Sequence, residues 1–201
     1  MARKVVRKSS RKPAKKRSRT APRKPTQDTP EQPGGFTPPS AKQHFLDTLA
    51  REQATTLKVL RALPSGQSDF RPHPRSRSAA DLAFTFVLEQ LLITKALRNE
   101  LTMGAGVPAT PEDFNAIVAQ FAYDFKAMVD LIRKTPEEEL LTTTVKFPVG
   151  PGQMGDWPKL AFLWFMLMDQ VHHRGQLSVY VRMAGGQVPS IYGPSGDETW
   201  R

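Results

Sequence analysis

The sequence predicts an all-α protein in which four long helices form one bundle behind a basic, disordered N-terminal tail. Two observations support this fold class. Apolar residues recur at helical spacing through four separate stretches, and a residue typical of helix N-caps stands at the start of each stretch. Helices of about 23 to 30 residues are roughly 35 to 45 Å long, so four of them share one core only when they lie nearly parallel.

Residues 1–39 are predicted to be the disordered tail, and residues 40–201 a single folded domain. The first 34 residues contain 12 Lys and Arg but only two acidic residues, whereas the other 167 contain 17 charges of each sign. The net charge of +10 therefore belongs to the tail and does not indicate a nucleic-acid-binding surface on the domain. The tail itself would either contact nucleic acid without sequence specificity or act as a solubilising linker.

The composition excludes several classes of site. The chain has no cysteine, which excludes disulfides, thiolate metal ligands from the protein and a cysteine nucleophile. No stretch approaches 18 uncharged apolar residues, and the basic N-terminus is not followed by the apolar segment of a secretory signal. We therefore expect a soluble cytoplasmic protein without a membrane partner.

The first two predicted helices have clear start signals. Ser40 is expected to cap the first helix, and Pro64 ends its apolar pattern. Ser78, with Asp81 three positions later, is typical of a capping box and starts the second helix. Apolar residues then continue at helical spacing, and the predicted helix extends to Gly104.

The third helix is predicted to begin with Thr110 as its cap and to close at Thr135, just before a proline. A link of 20 residues follows, at positions 136–155, and it contains a β-prone run at 142–147. A long crossover or a small β-excursion is therefore expected there rather than a tight turn.

Asp156 is expected to cap the fourth helix, which ends before Gly185, a residue type common just after helices. Gly175 lies inside this helix, where glycine costs about 1 kcal/mol relative to alanine. We therefore expect another segment to contact the backbone at Gly175 closely.

The densest group of chemically active residues lies in the fourth helix. Asp169 and His173 are four residues apart, so both side chains leave the same face of the helix, at a spacing that lets two ligands reach one metal ion. A third ligand would come from a facing helix. In the second helix, Thr85 and Glu89 interrupt the apolar run, and Glu89 is the better candidate because a carboxylate binds metals more strongly than a neutral hydroxyl.

A second interpretation of these residues needs no metal. Asp169 would pair with His173 or with Arg174, and Glu89 with Lys95 or Arg174, in a buried polar network. Spacing alone leaves both interpretations open, because a carboxylate and a histidine four residues apart are common in ordinary helices.

Several stretches of the chain carry a family resemblance. The segment HHRGQLSVYVRMAGGQVPSIYGPSGDE, preceded by LWFMLMDQ, together with LKVLRALP and FRPHPRSRSAADLAF upstream, resembles the DinB-like superfamily over about residues 40–200. The resemblance implies an up-down-down-up four-helix bundle, a homodimer, and a metal site of one histidine on the second helix and two on the fourth. Such proteins include metal-dependent thiol S-transferases, mycothiol-dependent isomerases and hydrolases.

The resemblance also implies which positions hold the metal, and there this chain departs from the pattern. The last family histidine falls on His173, the other histidine of the fourth helix on Asp169, and that of the second helix on Thr85. Only one of the three implied ligands is histidine. We therefore expect a metal site that is either lost or remodelled, with Glu89, one turn after Thr85, supplying the missing ligand.

Two functions follow as hypotheses. In the first, a divalent Zn, Ni, Mn or Fe ion held by Asp169, His173 and Glu89 activates a small thiol or a water molecule, and His172 or His73 is the general base. The substrate would be a small thiol or another small molecule. In the second, the domain has lost the metal and is a non-catalytic binding or dimerisation module.

Overall fold

The computed structural model describes residues 38–104 and 106–200. These residues are mostly helical, with one two-stranded antiparallel sheet. The elements are, in chain order, α1 (Ala41–Arg61), α2 (Ala79–Leu97), α3 (Phe114–Lys134), α4 (Glu137–Thr142), β1 (Thr144–Gly150), β2 (Gln153–Pro158) and α5 (Lys159–Met183). The predicted disordered tail, apart from its last two residues, lies outside the described residues. None of the described helices is long and apolar enough to cross a lipid bilayer.

The four long helices, α1, α2, α3 and α5, pack side by side, with α1 and α2 each contacting both α3 and α5. Their apolar faces form two buried clusters. The first contains Phe45, Leu49, Ile93, Ile132, Phe162 and Leu163 among others. The second contains Leu60, Leu82, Phe86, Ile117, Phe121 and Leu177 among others. Helices α1 and α5 run from the first cluster towards the second, and α2 and α3 run the opposite way.

Between the two apolar clusters, α1, α2 and α5 bury polar side chains, which together are called the polar layer here. Its members are Gln53, Thr56, Glu89, Gln90, Gln170 and Arg174. Burying so many polar groups costs free energy unless each finds a partner, so the contacts of this layer need explanation. One candidate site residue, Glu89, belongs to this layer.

The start of α2 agrees with its prediction. The backbone N–H of Asp81 donates to Ser78 Oγ at 3.0 Å, and the Asp81 carboxylate accepts from the backbone N–H of Ser78, which completes a capping box. Ser40 caps α1 by accepting from a backbone N–H, also as predicted. The predicted end of α2 is wrong: the helix stops at Leu97, and Asn99 turns the chain with φ of 61°, well before Gly104.

The predicted start of the third helix is also wrong, since α3 begins at Phe114 with Asp113 as its N-cap. The Asp113 carboxylate accepts from the backbone N–H of Asn115 at 2.9 Å. The hydroxyl of Thr110 instead donates to Asp81 Oδ1 at 2.9 Å. The residue that the local pattern predicted as a helix cap therefore forms a long-range contact with the start of α2. The predicted end at Thr135 is confirmed.

The link between α3 and α5 contains the predicted β-excursion, because β1 and β2 pair as a hairpin after the short α4. Asp156 does not cap the last helix, contrary to the prediction. It lies within β2 opposite Lys146, and its Oδ2 accepts from Lys146 Nζ at 2.8 Å. Helix α5 begins instead at Lys159, after Pro158. Its end, just before Gly185, is confirmed.

The expectation of a close contact at Gly175 is wrong within the described residues. A Cβ built on Gly175 would meet no atom within 4 Å, because this glycine lies on the exposed side of α5. The helix therefore bears the conformational cost of a glycine at this position without a packing contact from the rest of the described chain to explain it.

Gly175→Ala is expected to raise the free energy of unfolding by about 1 kcal/mol, because alanine is the better helix former and the space is open. Gly185→Ala is the matched control. It is expected to lower stability by about 1 kcal/mol, since Gly185 has φ of +83°. Urea unfolding followed by far-ultraviolet circular dichroism measures both. A loss of stability in Gly175→Ala would contradict the open surroundings of Gly175.

Candidate metal centre

Glu89 on α2 and Asp169 and His173 on α5 form one cluster where these two helices pack together. One potential ligand atom from each residue lies within 4.8 Å of the other two. His173 Nδ1 is 3.1 Å from Glu89 Oε1 and 3.7 Å from Asp169 Oδ1. Two donors about 2.1 Å from one ion lie roughly 3.0 to 3.4 Å apart at the usual bond angles, so these separations are close to what a shared ion requires.

Glu89 is the most constrained member of the cluster. Its side chain is only 2% exposed, and its Oε2 has no hydrogen-bond partner within residues 38–104 and 106–200. Burial raises the pKa of Glu89 well above its ordinary value, the neighbouring Asp169 carboxylate raises the pKa further, and the positive charge of Arg77 lowers it. An unpartnered carboxylate oxygen in the interior is costly, and a divalent cation would supply both the missing contact and the compensating charge. The donor set therefore fits a metal ion.

His173 is held in the form that binds metals. Burial lowers the pKa of His173 below its ordinary value of 6.5, and the nearby Asp169 carboxylate opposes this shift only in part. The imidazole is therefore neutral at pH 7, as metal ligation requires. The ring of Phe86 stands edge-on to the imidazole at 6.5 Å between centroids and closes its inner side.

Arg174 does not neutralise this cluster, contrary to one of the alternatives that the sequence left open. It is 1% exposed, and its Nη1 forms an ion pair with Glu52 Oε2 at 2.7 Å. Its Nη2 donates to the hydroxyl of Tyr192 at 2.6 Å, and the Tyr192 hydroxyl donates to Glu52 at 2.8 Å. The pairing of Asp169 with His173 is present at 3.7 Å. Glu89 contacts His173 instead of Lys95, with which it forms no ion pair among the described residues.

Thr85, the residue at the implied position of the second-helix histidine, forms hydrogen bonds within the protein. Its hydroxyl donates to the Asp81 backbone carbonyl at 3.2 Å and accepts from Arg77 Nη1 at 2.8 Å. Sequence reasoning missed Arg77. The available signal was the arginine-rich run directly before the Ser78 capping box.

The sequence profile of the DinB family matches residues 37–200. The chain belongs to the DinB family. It is 29% identical over 157 residues to the uncharacterized protein YrdA of Bacillus subtilis strain 168, which covers 77% of this chain and 90% of that protein. The resemblance seen in the sequence is thereby confirmed.

Solved structures agree on the fold of this DinB family member. The crystal structure of a DinB-like protein from Bacillus cereus superposes with a TM-score of 0.63 at 23% identity, covering 75% of this chain and 97% of that one. The crystal structure of the DinB-like protein YjoA from Bacillus subtilis superposes with a TM-score of 0.58 at 17% identity, covering 74% of this chain and 97% of that one. At these identities, the similarity concerns the fold alone.

The two histidines predicted as general bases in this DinB family member lie in different surroundings. His172 is exposed on α5, with its ring centroid 5.3 Å from that of His173 and its Nε2 3.0 Å from the amide nitrogen of Gln176. His73 is exposed in the loop before α2, where its Nδ1 accepts from the backbone N–H of Arg75 at 3.1 Å. His172 is thus next to the cluster, and His73 shapes its loop.

Asp81 organises the loop beside the cluster and makes stability depend on pH. Hydrogen bonds from Ser78 and Thr110 and the charge of Arg71 lower the pKa of Asp81 below its ordinary value of 3.8. Because the folded-state pKa is the lower one, this carboxylate stabilises the fold above pH 3.8 and the contribution is lost as pH falls through the lowered pKa.

The free energy of unfolding of the wild type is expected to exceed that of Asp81→Asn by a constant amount above about pH 5, and by less as the pH falls below about 4. Urea titrations at a series of pH values measure this difference. The exposed Asp47→Asn serves as control. A difference for Asp81→Asn that does not change with pH would contradict the assignment.

Proposed function

We propose that this DinB family member binds one divalent cation through Glu89, Asp169 and His173 and acts as a metal-dependent thiol S-transferase or hydrolase. The observation that carries the proposal is the buried Glu89 carboxylate, which offers one ligand atom within 4.8 Å of ligand atoms of Asp169 and His173 and whose Oε2 has no hydrogen-bond partner among the described residues. We also infer that the helix directions correspond to an up-down-down-up four-helix bundle.

The ligand set differs in chemistry from three histidines. Two carboxylates and one imidazole carry a charge of −2 when ionised, which balances a divalent cation, whereas three neutral imidazoles carry none. Replacing nitrogen donors by carboxylate oxygens favours harder ions. The site's affinity for Mn²⁺ and Fe²⁺ should therefore rise relative to its affinity for the other candidates, Zn²⁺ and Ni²⁺. A cation bound here would lower the pKa of a coordinated thiol or water towards neutrality.

The protein's own residues supply the remaining functions. Glu89 is fixed by burial on α2, and Asp169 and His173 by their spacing on α5, so the ligand atoms are preorganised. His172 is the better placed of the two histidines to accept the proton of a thiol or water, because it lies beside His173 and is exposed to solvent. Its Nε2 accepts from the Gln176 amide at 3.0 Å and has to leave that hydrogen bond to take up a proton. His73 already uses its Nδ1 within the loop.

A metal-free polar cluster is the second candidate. It is favoured by the 3.1 Å contact between His173 Nδ1 and Glu89 Oε1, which suits a hydrogen bond. In this state the two carboxyl groups lie side by side, and burial together with the charge and a hydrogen bond of Asp169 raises the pKa of Glu89, so a proton held between them takes the place of the cation. The metal-bound state is preferred because a divalent cation neutralises both carboxylates and gives Glu89 Oε2 a partner.

Purified protein stripped with a chelator and reloaded with Mn²⁺, Fe²⁺, Zn²⁺ or Ni²⁺ is expected to retain close to one equivalent after dialysis, measured by elemental analysis. Glu89→Gln and Asp169→Asn are expected to weaken binding by about 100-fold or more, because each removes a charged ligand while keeping the shape of the side chain. Asp47→Asn, an exposed acidic residue on α1, is the matched control and should bind like the wild type.

Two outcomes would contradict the metal-dependent function. One is a wild-type protein that retains none of the four metals. The other is unchanged metal affinity in both Glu89→Gln and Asp169→Asn, which would place any bound ion elsewhere on the chain.

A further inference from the structure

An open basin of about 450 Å³ lies between the loop before α2 and the last two turns of α5. It is lined by Arg75, Ser76, Arg77, Gln176, Val179 and Tyr180. Its α5 wall begins at Gln176, one turn after His173. Its other wall is the loop that leads into the capping box of α2. A molecule bound in the basin would therefore have one end close to the cluster of Glu89, Asp169 and His173.

Arg77 is fixed between the basin and the cluster. Its Nη1 donates to Thr85 Oγ1 at 2.8 Å, and its backbone carbonyl accepts from the Tyr180 hydroxyl at 3.2 Å. Thr85 precedes Glu89 by one helical turn, so the guanidinium lies along the same face of α2 as Glu89. The charge of Arg77 lowers the pKa of both Glu89 and His173, which agrees with this closeness.

The loop carries positive charge that no acidic side chain neutralises among the described residues. Arg71 is 3.6 Å from the Asp81 carboxylate and donates to the Ser76 backbone carbonyl at 2.8 Å, so its charge is engaged. Arg75 and Arg77 form no ion pair with any carboxylate in residues 38–104 and 106–200. Both are exposed and both line the basin.

A guanidinium has five N–H donors in a planar fork that matches the oxygens of a carboxylate or phosphate. Arg77 uses one of them for Thr85, and that bond together with the Tyr180 contact holds the fork in place before any ligand binds. A preorganised donor loses less conformational entropy on binding than a free surface arginine. Val179 adds an apolar surface that suits a short carbon chain.

We propose that this basin is an oxyanion subsite, in which Arg77, assisted by Arg75, binds the carboxylate or phosphate group of a substrate whose reacting end lies at the metal ligands. The inference rests on the proposed function for the identity of the reacting end only. The substrate class becomes a small anionic molecule, with the anionic group separated from its thiol or hydrolysable bond by a short linker.

The first experiment compares two thiols that differ in the charge of their tail. Mn²⁺- or Zn²⁺-loaded protein is titrated with 3-mercaptopropionate and with 2-mercaptoethanol by calorimetry. The ratio of the two affinities is expected to fall about tenfold from wild type to Arg77→Gln, because a charge-assisted hydrogen bond to the carboxylate is lost. Arg77→Lys should give an intermediate ratio. The control Arg51→Gln, which replaces an exposed arginine on α1, should give the wild-type ratio.

The second experiment needs no metal. In chelator-treated protein, the guanidinium Nε–H resonances are followed by NMR during titration with succinate and, separately, with inorganic phosphate. We expect saturable shifts of the Arg75 and Arg77 resonances and no shift of the Arg51 resonance. In Arg77→Gln, the Arg75 resonance should no longer shift. Stronger binding of succinate would identify a carboxylate ligand, and stronger binding of phosphate a phosphate ligand, and either result supports the subsite.

An affinity ratio that is the same in wild type and Arg77→Gln while metal stays bound would overturn the subsite. The absence of saturable shifts at Arg75 and Arg77 with both anions would also overturn it. If the wild type retains no metal, the proposed function fails while the NMR titration still decides whether the basin binds anions.

Discussion

The site depends on the polar layer buried between the two apolar clusters, because that layer brings a carboxylate of α2 against two ligands of α5. The apolar clusters at either end keep the helices in register, so Glu89 cannot move to solvent without separating Leu82 and Phe86 from the second cluster or Ile93 from the first. The packing of the apolar residues therefore keeps the Glu89 carboxylate buried, although hydration alone would favour its exposure to solvent. Such a strained polar group in an otherwise well-packed interior is typical of a functional site.

Two charged groups of different character meet the polar layer, one through its member Arg174 and the other through its member Glu89. In one, Arg174, Glu52 and Tyr192 satisfy one another, and the Arg174 guanidinium also lies 5.1 Å from the centre of the Tyr192 ring. This closed network ties the segment after α5 to α1. In the other, Glu89 and Asp169 share the histidine His173, and neither forms an ion pair with a lysine or arginine in the part of the chain that the structure describes. Since adjacent residues of α5 serve the two groups, Arg174 stabilises the fold while His173 stays available for ligation.

The loop before α2 links the fold to the proposed chemistry. Asp81 binds Ser78, Thr110 and Arg71, and its backbone carbonyl accepts from Thr85. Those contacts fix the start of α2 and the position of the loop that carries Arg75 and Arg77. A substitution at Asp81 should therefore affect the geometry of the basin as well as stability.

Much of the fold and the core of the candidate site could be predicted because they depend on local spacing. The apolar periodicity gave the long helices, the Ser78 capping box gave the start of α2, and the four-residue spacing of Asp169 and His173 placed both on one face. Glu89 could be added because a carboxylate is conspicuous in an apolar run. Thr110 and Asp156 were assigned wrongly as caps because each has a partner far along the chain or across a hairpin.

The positions of Arg174 and Arg77 could not be predicted for a similar reason. Nothing local in the sequence shows that Arg174 turns inward to Glu52, or that Arg77 reaches forward to Thr85. Both contacts arise only when the helices and the loop have packed. Residues whose role depends on which surface they face are the ones that sequence spacing leaves undecided.

The most direct test of the account is a crystal structure of the Mn²⁺- or Zn²⁺-loaded protein with data collected at the absorption edge of the metal. A metal ion bound by the three ligands should give an anomalous difference peak about 2.0 to 2.3 Å from a carboxylate oxygen of Glu89, an oxygen of Asp169 and a ring nitrogen of His173. A fully loaded crystal with its peak elsewhere, for example on His172 alone, and with Glu89 still bonded only to His173, would contradict it.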